Sequence, residues 1–83
     1  MRLVEPQEFP DAVDLRIMAL IFNGPKARVR GMAREIGLSK TAIMFRLQKL
    51  EKAYLIVLPG MHSRKGYHLT GAGETYMKSR GLI

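Results

Sequence analysis

The sequence has 83 residues and no cysteine, which is enough chain for one domain but excludes a disulfide framework and a zinc–thiolate site. Hydrophobic residues make up 47% of it, a fraction typical of a folded chain and not of a disordered one. Lysine and arginine outnumber the acids by 14 to 7, and the resulting net charge of +7 favours a polyanionic partner such as nucleic acid.

This charge is unevenly distributed along the chain. Residues 1–14 hold one base and four acids, a net of −3, whereas residues 15–83 hold 13 bases and three acids, a net of +10. No apolar run approaches the ~20 residues of a membrane span, and the first residues lack the apolar core of a secretion signal. We therefore expect a cytoplasmic protein with no membrane partner.

The first predicted element is a helix that begins after Asp11, a residue type favoured at the N-cap. It should end at residues 23–25, where the Asn-Gly-Pro sequence cannot continue a helix. The apolar stripe of this helix is formed by Val13, Ile17, Leu20 and Ile21. Residues 1–10 are predicted to be an N-terminal arm that precedes a single domain over residues 11–83.

Two further helices are predicted around a tight turn. Residues 26–30 lean towards β structure and predict a minimal strand, which a short helix over residues 31–36 should follow. Residues 37–39, Gly-Leu-Ser, provide a turn and an N-cap for a third helix over about 39–54. In that helix, Ile43, Leu47, Leu50 and Tyr54 recur at helical spacing and predict its buried stripe.

The remainder of the chain predicts a hairpin and a last helix. The hairpin covers about residues 56–69, with a loop over residues 59–66 that is bounded by Pro-Gly and Gly. Tyr67 and Leu69 should point inward and His68 outward. Thr70 should cap the last helix. Two helices joined by a tight turn, the second of them basic, form a helix-turn-helix, and the hairpin makes it a winged one.

Two stretches carry a resemblance to a known group of proteins. The first, MAREIGLSKTAIMFRLQKLEKAYLIVL (residues 32–58), resembles winged-helix repressors of the MarR, ArsR and PadR kinds. The second, YHLTGAGETYM (residues 67–77), resembles the segment that follows the wing in those families. The resemblance implies a mainly α winged helix-turn-helix fold with a small β-sheet. It also implies sequence-specific binding of double-stranded DNA by a small, repressor-like transcriptional regulator that acts by occupying its site.

The same resemblance assigns residues to DNA contacts. Ser39 matches the start of the recognition helix, and Lys40 and Thr41 match its first exposed turn. Major-groove positions are matched by Met44, Phe45 and Gln48. The wing tip is matched by Arg64 and Lys65, with His62 and Ser63 beside them.

Basic residues around these positions predict phosphate contacts. The contacts are expected from side chains on the recognition helix and from the segment before the preceding helix: Lys40, Arg46, Lys49, Lys52, Arg28 and Arg30. Because one recognition helix reads only a few base pairs, we also expect a homodimer with half-sites about one helical turn apart. Helix 1 and the C-terminal helix are the favoured dimer surface.

Two positions depart from the pattern of the resembled families. They commonly carry a polar or basic residue where this chain has Phe45, and glycine where it has Tyr54. Three interpretations of Met44 and Phe45 stay open: they pack on thymine methyl groups in the major groove, they contact a protein partner, or the helix is rolled so that Phe45 covers Phe9 and the N-terminal segment.

Other function classes have weaker support in the sequence. We expect no enzyme, because the chain lacks a cysteine nucleophile, paired carboxylates and a phosphate-cradling glycine loop. We expect no metal or other cofactor, since two histidines are too few for a cluster, and no small-molecule effector, since the wing and last helix use up the chain. The alternative function is a winged-helix module that binds protein in a replication, transcription or ribosomal assembly.

Overall fold

The computed structural model describes residues 9–24, 28–58 and 66–83. These residues form four helices and a small antiparallel sheet, in the order α1 (Ala12–Asn23), α2 (Val29–Ile36), α3 (Lys40–Lys52), β1 (Ile56–Val57), β2 (His68–Leu69) and α4 (Gly71–Ser79). In the sheet, Ile56 pairs with Leu69 and Val57 with His68. The predicted fold, a mainly helical winged helix-turn-helix, is confirmed.

The first turns of three helices are capped by the side chains that the sequence predicts. The Asp11 carboxylate accepts the Asp14 N–H at 2.9 Å and the Asp14 carboxylate accepts the Asp11 N–H at 3.1 Å, which is a capping box at the start of α1. Ser39 and Thr70 cap α3 and α4 with hydrogen bonds of 3.1 and 3.0 Å. Because these bonds satisfy otherwise free N–H groups within a few residues of the cap, local sequence is enough to predict them.

A single apolar core joins the helices to the sheet. Its buried side chains come from every helix and from β1: Ile17, Met18, Ile21, Met32, Ala33, Ile43, Leu47, Leu50, Ile56 and Met77. Tyr67 and Leu69 pack against it and His68 is exposed, as predicted for the return strand. None of the helices in the described ranges is long and apolar enough to cross a membrane.

The predicted strand over residues 26–30 is wrong where the structure describes it. Arg28 is extended but acts as the N-cap of α2, which begins at Val29 and not at residue 31. The apolar residues Val29, Met32, Ala33 and Ile36 repeat every three or four positions and face the core together. That helical spacing outweighs the β preference of a single valine. Lys26 and Ala27 lie outside the described residues.

The end of α3 also differs from the prediction. The helix stops at Lys52, and Tyr54 has a φ of 62° and a side chain that is 78% exposed, so its expected place on the buried stripe is wrong. The N–H of Tyr54 donates to the Glu51 carbonyl and that of Leu55 to the Leu50 carbonyl, which is a Schellman motif. Leu55 packs against the core instead. The left-handed residue of such a motif is usually glycine, as in the resembled families.

The turn between α2 and α3 depends on a glycine. Gly37 has a φ of 86°, a left-handed conformation that a side chain disfavours, and its N–H and that of Leu38 both donate to the Ala33 carbonyl, at 2.8 and 3.1 Å. Three residues thus separate the helices. This short turn fixes the direction of α3 relative to α2.

A second glycine lets α4 approach the end of α3. A Cβ placed on Gly73 would lie 2.1 Å from the Leu55 carbonyl oxygen, which no side chain could occupy. Thr70 donates its N–H to the same carbonyl at 3.0 Å and its hydroxyl to the Tyr54 carbonyl. The start of α4 is therefore anchored on the residues that follow α3.

Candidate nucleic-acid interface

One side of α3 presents exposed side chains that line a shallow concavity of about 290 Å³. This surface, which we call the reading face, consists of Thr41, Met44, Phe45 and Gln48. The four positions lie three or four residues apart and therefore form one patch on the helix. Met44 is 48% exposed and Phe45 63% exposed. The helix thus turns an apolar pair towards solvent while its other side fills the core.

The exposure of Phe45 decides one of its three interpretations. A helix rolled so that Phe45 joins the core would bury the ring, but the ring is largely exposed and the predicted core residues Ile43, Leu47 and Leu50 are buried. The rolled helix is therefore wrong, whereas a contact of Phe45 with residues 1–8 lies outside the described residues. The groove-reading and partner-contact interpretations both require an exposed ring.

Lys49 lies beside the reading face and contacts two aromatic rings. Its Nζ is 5.1 Å from the centroid of the Phe9 ring and 5.7 Å from that of the Phe45 ring. Both distances are within the range of a cation–π interaction. Phe45 is thus linked to the segment that precedes α1 through this lysine, without being buried.

Arg46 forms an ion-pair cluster with the first turn of α1. Its Nη1 is 2.8 Å from each carboxylate oxygen of Asp11 and 3.1 Å from Asp14 Oδ1. The Asp14 side chain is 2% exposed, whereas those of Arg46 and Asp11 are 28% and 35% exposed. The same carboxylates cap α1, so this cluster, which we call the clasp, connects that cap to the middle of α3.

The clasp shifts the pKa values of Asp11 and Arg46. The hydrogen bond from Arg46 holds the pKa of the Asp11 carboxyl below its usual value, against the opposing effect of partial burial. The hydrogen bond to Asp11 likewise raises the pKa of Arg46. Both shifts favour the charged forms of Asp11 and Arg46, which keeps the ion pair between them intact at neutral pH.

Sequence reasoning missed the clasp, because it pairs residues 32 and 35 positions apart. The sequence contained one signal that could have suggested it. An acidic pair, Asp11 and Asp14, begins an otherwise basic domain, and a helix rich in bases follows. Opposite charge concentrated in two segments predicts an intramolecular contact between them.

The other predicted contacts occupy several places. Ser39 is exposed at the N-cap of α3, and Lys40 and Lys52 are exposed at its two ends, with no acidic partner among the described residues. Arg28 and Arg30 are exposed at the start of α2. The predicted wing residues His62, Ser63, Arg64 and Lys65 lie outside the described residues, as does nearly all of the predicted N-terminal arm. No group of three or more potential ligands that could hold a metal occurs in the described ranges.

Comparison with known families finds a similarity for the part of the chain that contains α1, α2 and α3. Residues 11–51 match the model of the AsnC-type helix-turn-helix domain, a span that runs from the cap of α1 almost to the end of α3. No curated protein matches the chain. The match supports a helix-turn-helix protein that binds double-stranded DNA and regulates transcription, but it does not support the MarR, ArsR or PadR families specifically. Over this span, 41 of the 83 residues, the chain is similar to AsnC-type helix-turn-helix domains, and the hairpin and α4 complete a winged helix-turn-helix fold.

Proposed function

We propose that the protein is a transcriptional regulator that binds a specific sequence of double-stranded DNA and represses by occupying it. The observation that carries this proposal is the reading face. It places two apolar and two hydrogen-bonding side chains, all exposed, along one side of α3. Because a major groove about 12 Å wide admits an α-helix, such a face can contact base edges directly.

The residue types of the reading face favour recognition of thymine and adenine. Met44 and Phe45 can pack on the C5-methyl group of thymine, which is the apolar feature of the major groove. Gln48 can form the bidentate pair with adenine N6 and N7, and Thr41 can donate to or accept from either base. Guanine is usually read by Arg or Lys, and neither lines this concavity.

Phosphate contacts would hold the helix in the groove. Lys40 and Lys52 lie at opposite ends of α3, Arg28 and Arg30 lie at the start of α2, and the wing residues would contribute further contacts. Such contacts position a protein on DNA without reading its sequence. The basic residues would thus provide affinity and position, and the reading face would provide the contacts to base edges.

A homodimer would supply the second half-site that a single reading face lacks. An apolar groove of about 300 Å³ between α1 and the C-terminal residues supports the predicted dimer surface; it is lined by Ala12, Leu15, Arg16, Ala19, Met77 and Leu82. Sedimentation of the free protein at tens of micromolar and of its DNA complex tests this part. A monomer in both would contradict it.

Selection from a random 20-bp duplex library tests the main proposal. We expect a consensus with thymine at a fixed position of each half-site, arranged as an inverted repeat. Duplexes that carry the consensus should bind at least 10³-fold more tightly than scrambled ones, the lower end of the range for specific regulators. Enrichment of no sequence would contradict specific binding.

A second candidate function is a winged-helix module that binds protein. Exposed apolar side chains where the chain leaves α3 for the wing favour it: Tyr54 is 78%, Leu58 50% and Val57 44% exposed. Adjacent exposed apolar residues can mark a protein contact. If DNA is the partner of this fold, the double variant Tyr54→Ser with Leu58→Ser should bind duplex DNA as tightly as the unaltered protein. A winged-helix module that binds protein would bind no duplex tightly.

A further inference from the structure

We infer that Arg46 acts in DNA recognition by positioning α3 and not by contacting phosphate, with Asp11 and Asp14 as its fixed partners. The inference rests on the proposed sequence-specific binding and refines it. A basic residue on the recognition helix of a DNA-binding protein is ordinarily expected to meet the DNA backbone. The geometry of the clasp points to a different role.

The first step concerns the hydrogen bonds of the guanidinium. A single nitrogen, Nη1, shares its two hydrogens among three acceptors: both oxygens of Asp11 at 2.8 Å and Oδ1 of Asp14 at 3.1 Å. Charge-assisted bonds of this length are among the strongest in proteins. A move of this nitrogen towards a phosphate would break all three together.

The second step concerns burial. The Asp14 side chain is 2% exposed and its carboxylate has Arg46 as its cationic partner. If Arg46 turned towards DNA, Asp14 would remain as a buried charge without compensation, a strongly unfavourable arrangement. The free energy gained from one phosphate contact at the protein surface is smaller than the cost of leaving Asp14 without a partner. Binding of DNA therefore does not displace Arg46 from Asp14.

The third step concerns net charge. Arg46 with Asp11 and Asp14 sums to −1, so the clasp presents no excess positive charge to a phosphate. Two of the other basic residues of α3 differ in this respect. Lys40 and Lys52 are exposed and have no acidic partner in the described part of the chain.

The fourth step concerns what the clasp holds. Arg46 directly follows Phe45 of the reading face, and Lys49, one helical turn later, lies against the rings of Phe9 and Phe45. Three residues of the segment 9–14, namely Phe9, Asp11 and Asp14, therefore contact two residues on one side of α3. This contact sets the rotation of α3 about its axis, and that rotation determines where Met44 and Phe45 meet base edges.

Two variants and a matched control test the inference. Arg46→Met removes the clasp, Asp11→Asn weakens it while keeping Arg46 and its bond to Asp14, and Lys52→Met removes an unpaired cation from the same helix. Each is titrated at several salt concentrations against two duplexes: one selected from the random library by the unaltered protein and one of scrambled sequence. Thermal melts establish that each variant is folded at the temperature of the titration.

The clasp predicts that Arg46→Met reduces the preference for the selected duplex by about tenfold, the value of roughly one bidentate base contact. The salt slope on the scrambled duplex should stay unchanged. Lys52→Met should instead lower that slope by about 0.9 and weaken both duplexes equally. Asp11→Asn should reduce the preference as well, although the loss of an acid alone would tighten both complexes by the same factor.

Three results would separate the possible failures. If Arg46→Met lowers the salt slope as Lys52→Met does, Arg46 binds phosphate and the inference is wrong. If Asp11→Asn tightens both duplexes equally, the clasp does not position α3 and the inference is also wrong. If the unaltered protein prefers neither duplex, the proposed function fails, and the salt slopes still decide whether Arg46 touches phosphate.

Discussion

The two flanks of α3 both include basic side chains but differ in what their side chains contact. On the flank towards α1, Arg46 is paired with two carboxylates and Lys49 lies against two rings. On the reading face, Met44 and Phe45 are exposed, and Lys52 beside them has no acidic partner among the described residues. One flank is satisfied within the chain and the other is suited to a ligand.

This difference means that a basic residue on the recognition helix does not by itself indicate a contact with DNA. Positive charge on a helix-turn-helix attracts DNA only where the charge is not matched nearby. A basic residue of α3 can therefore either pair with an acid of the same chain or bind phosphate. Only contacts between residues distant in sequence show which of the two it does. Four predictions test how far the difference extends.

The largest expected effect is the loss of stability when the clasp is broken. Arg46→Met should lower the free energy of unfolding by about 3 kcal/mol, because it leaves the buried Asp14 carboxylate without its cation. Lys52→Met on the other flank should change it by less than about 0.5 kcal/mol, as for an ordinary surface position. Urea unfolding measures both, and equal effects would show that the two flanks do not differ.

The next effect in size is the salt dependence of DNA binding. If about four basic side chains contact phosphate, the binding constant should fall about 10²-fold between 50 and 200 mM salt. Lys40→Met with Lys52→Met should reduce the slope of log K against log salt by about 2. A slope that these changes leave intact would place the phosphate contacts elsewhere.

A smaller effect is expected from pH. Because the clasp lowers the pKa of Asp11, its contribution to stability is fully present above the ordinary value of 3.8 and is lost as pH falls through the lower folded value. The unfolding midpoint in urea should therefore drop more steeply below about pH 4 in the unaltered protein than in Asp11→Asn. Parallel curves would mean that the carboxylate gains nothing from Arg46.

The sequence predicts those parts of the fold that depend on local chemistry. The caps Asp11, Ser39 and Thr70 and the buried stripe of α3 could be identified because their hydrogen bonds and spacing involve residues a few positions apart. The predicted strand is wrong at residues 28–30, because Val29 belongs to a helical repeat that continues to Ile36. Short segments carry little periodicity, and the contacts of the whole domain decide their conformation.

In the candidate site too, the residues that follow from local spacing could be predicted and those that depend on distant partners could not. The reading face follows from helical spacing, so Thr41, Met44, Phe45 and Gln48 could be placed together from the sequence. The role of Arg46 could not, because its partners lie more than 30 residues away. Tyr54 was misplaced because the helix ends two residues earlier, in a cap that local preference would assign to glycine.

The smallest expected effect concerns a single methyl group on the DNA. If Met44 and Phe45 pack on thymine, replacing that thymine of the selected duplex by uracil should weaken binding by about 0.5–1 kcal/mol, the value of one buried methyl group. Phe45→Ala should abolish this response and weaken binding to the thymine duplex. It should cost less than about 1 kcal/mol of stability, since the ring is 63% exposed.

Phe9→Ala is the matched control for that measurement. Phe9 shares Lys49 with Phe45 but does not line the reading face, so its loss should leave the response to uracil in place. If Phe45→Ala weakens binding but thymine and uracil duplexes bind the unaltered protein equally, the ring contacts something other than a methyl group. If the uracil response survives in Phe45→Ala, Met44 makes the contact alone. Phe45 would then take no part in reading the methyl group, and the two flanks of α3 would differ only in how their charges are paired.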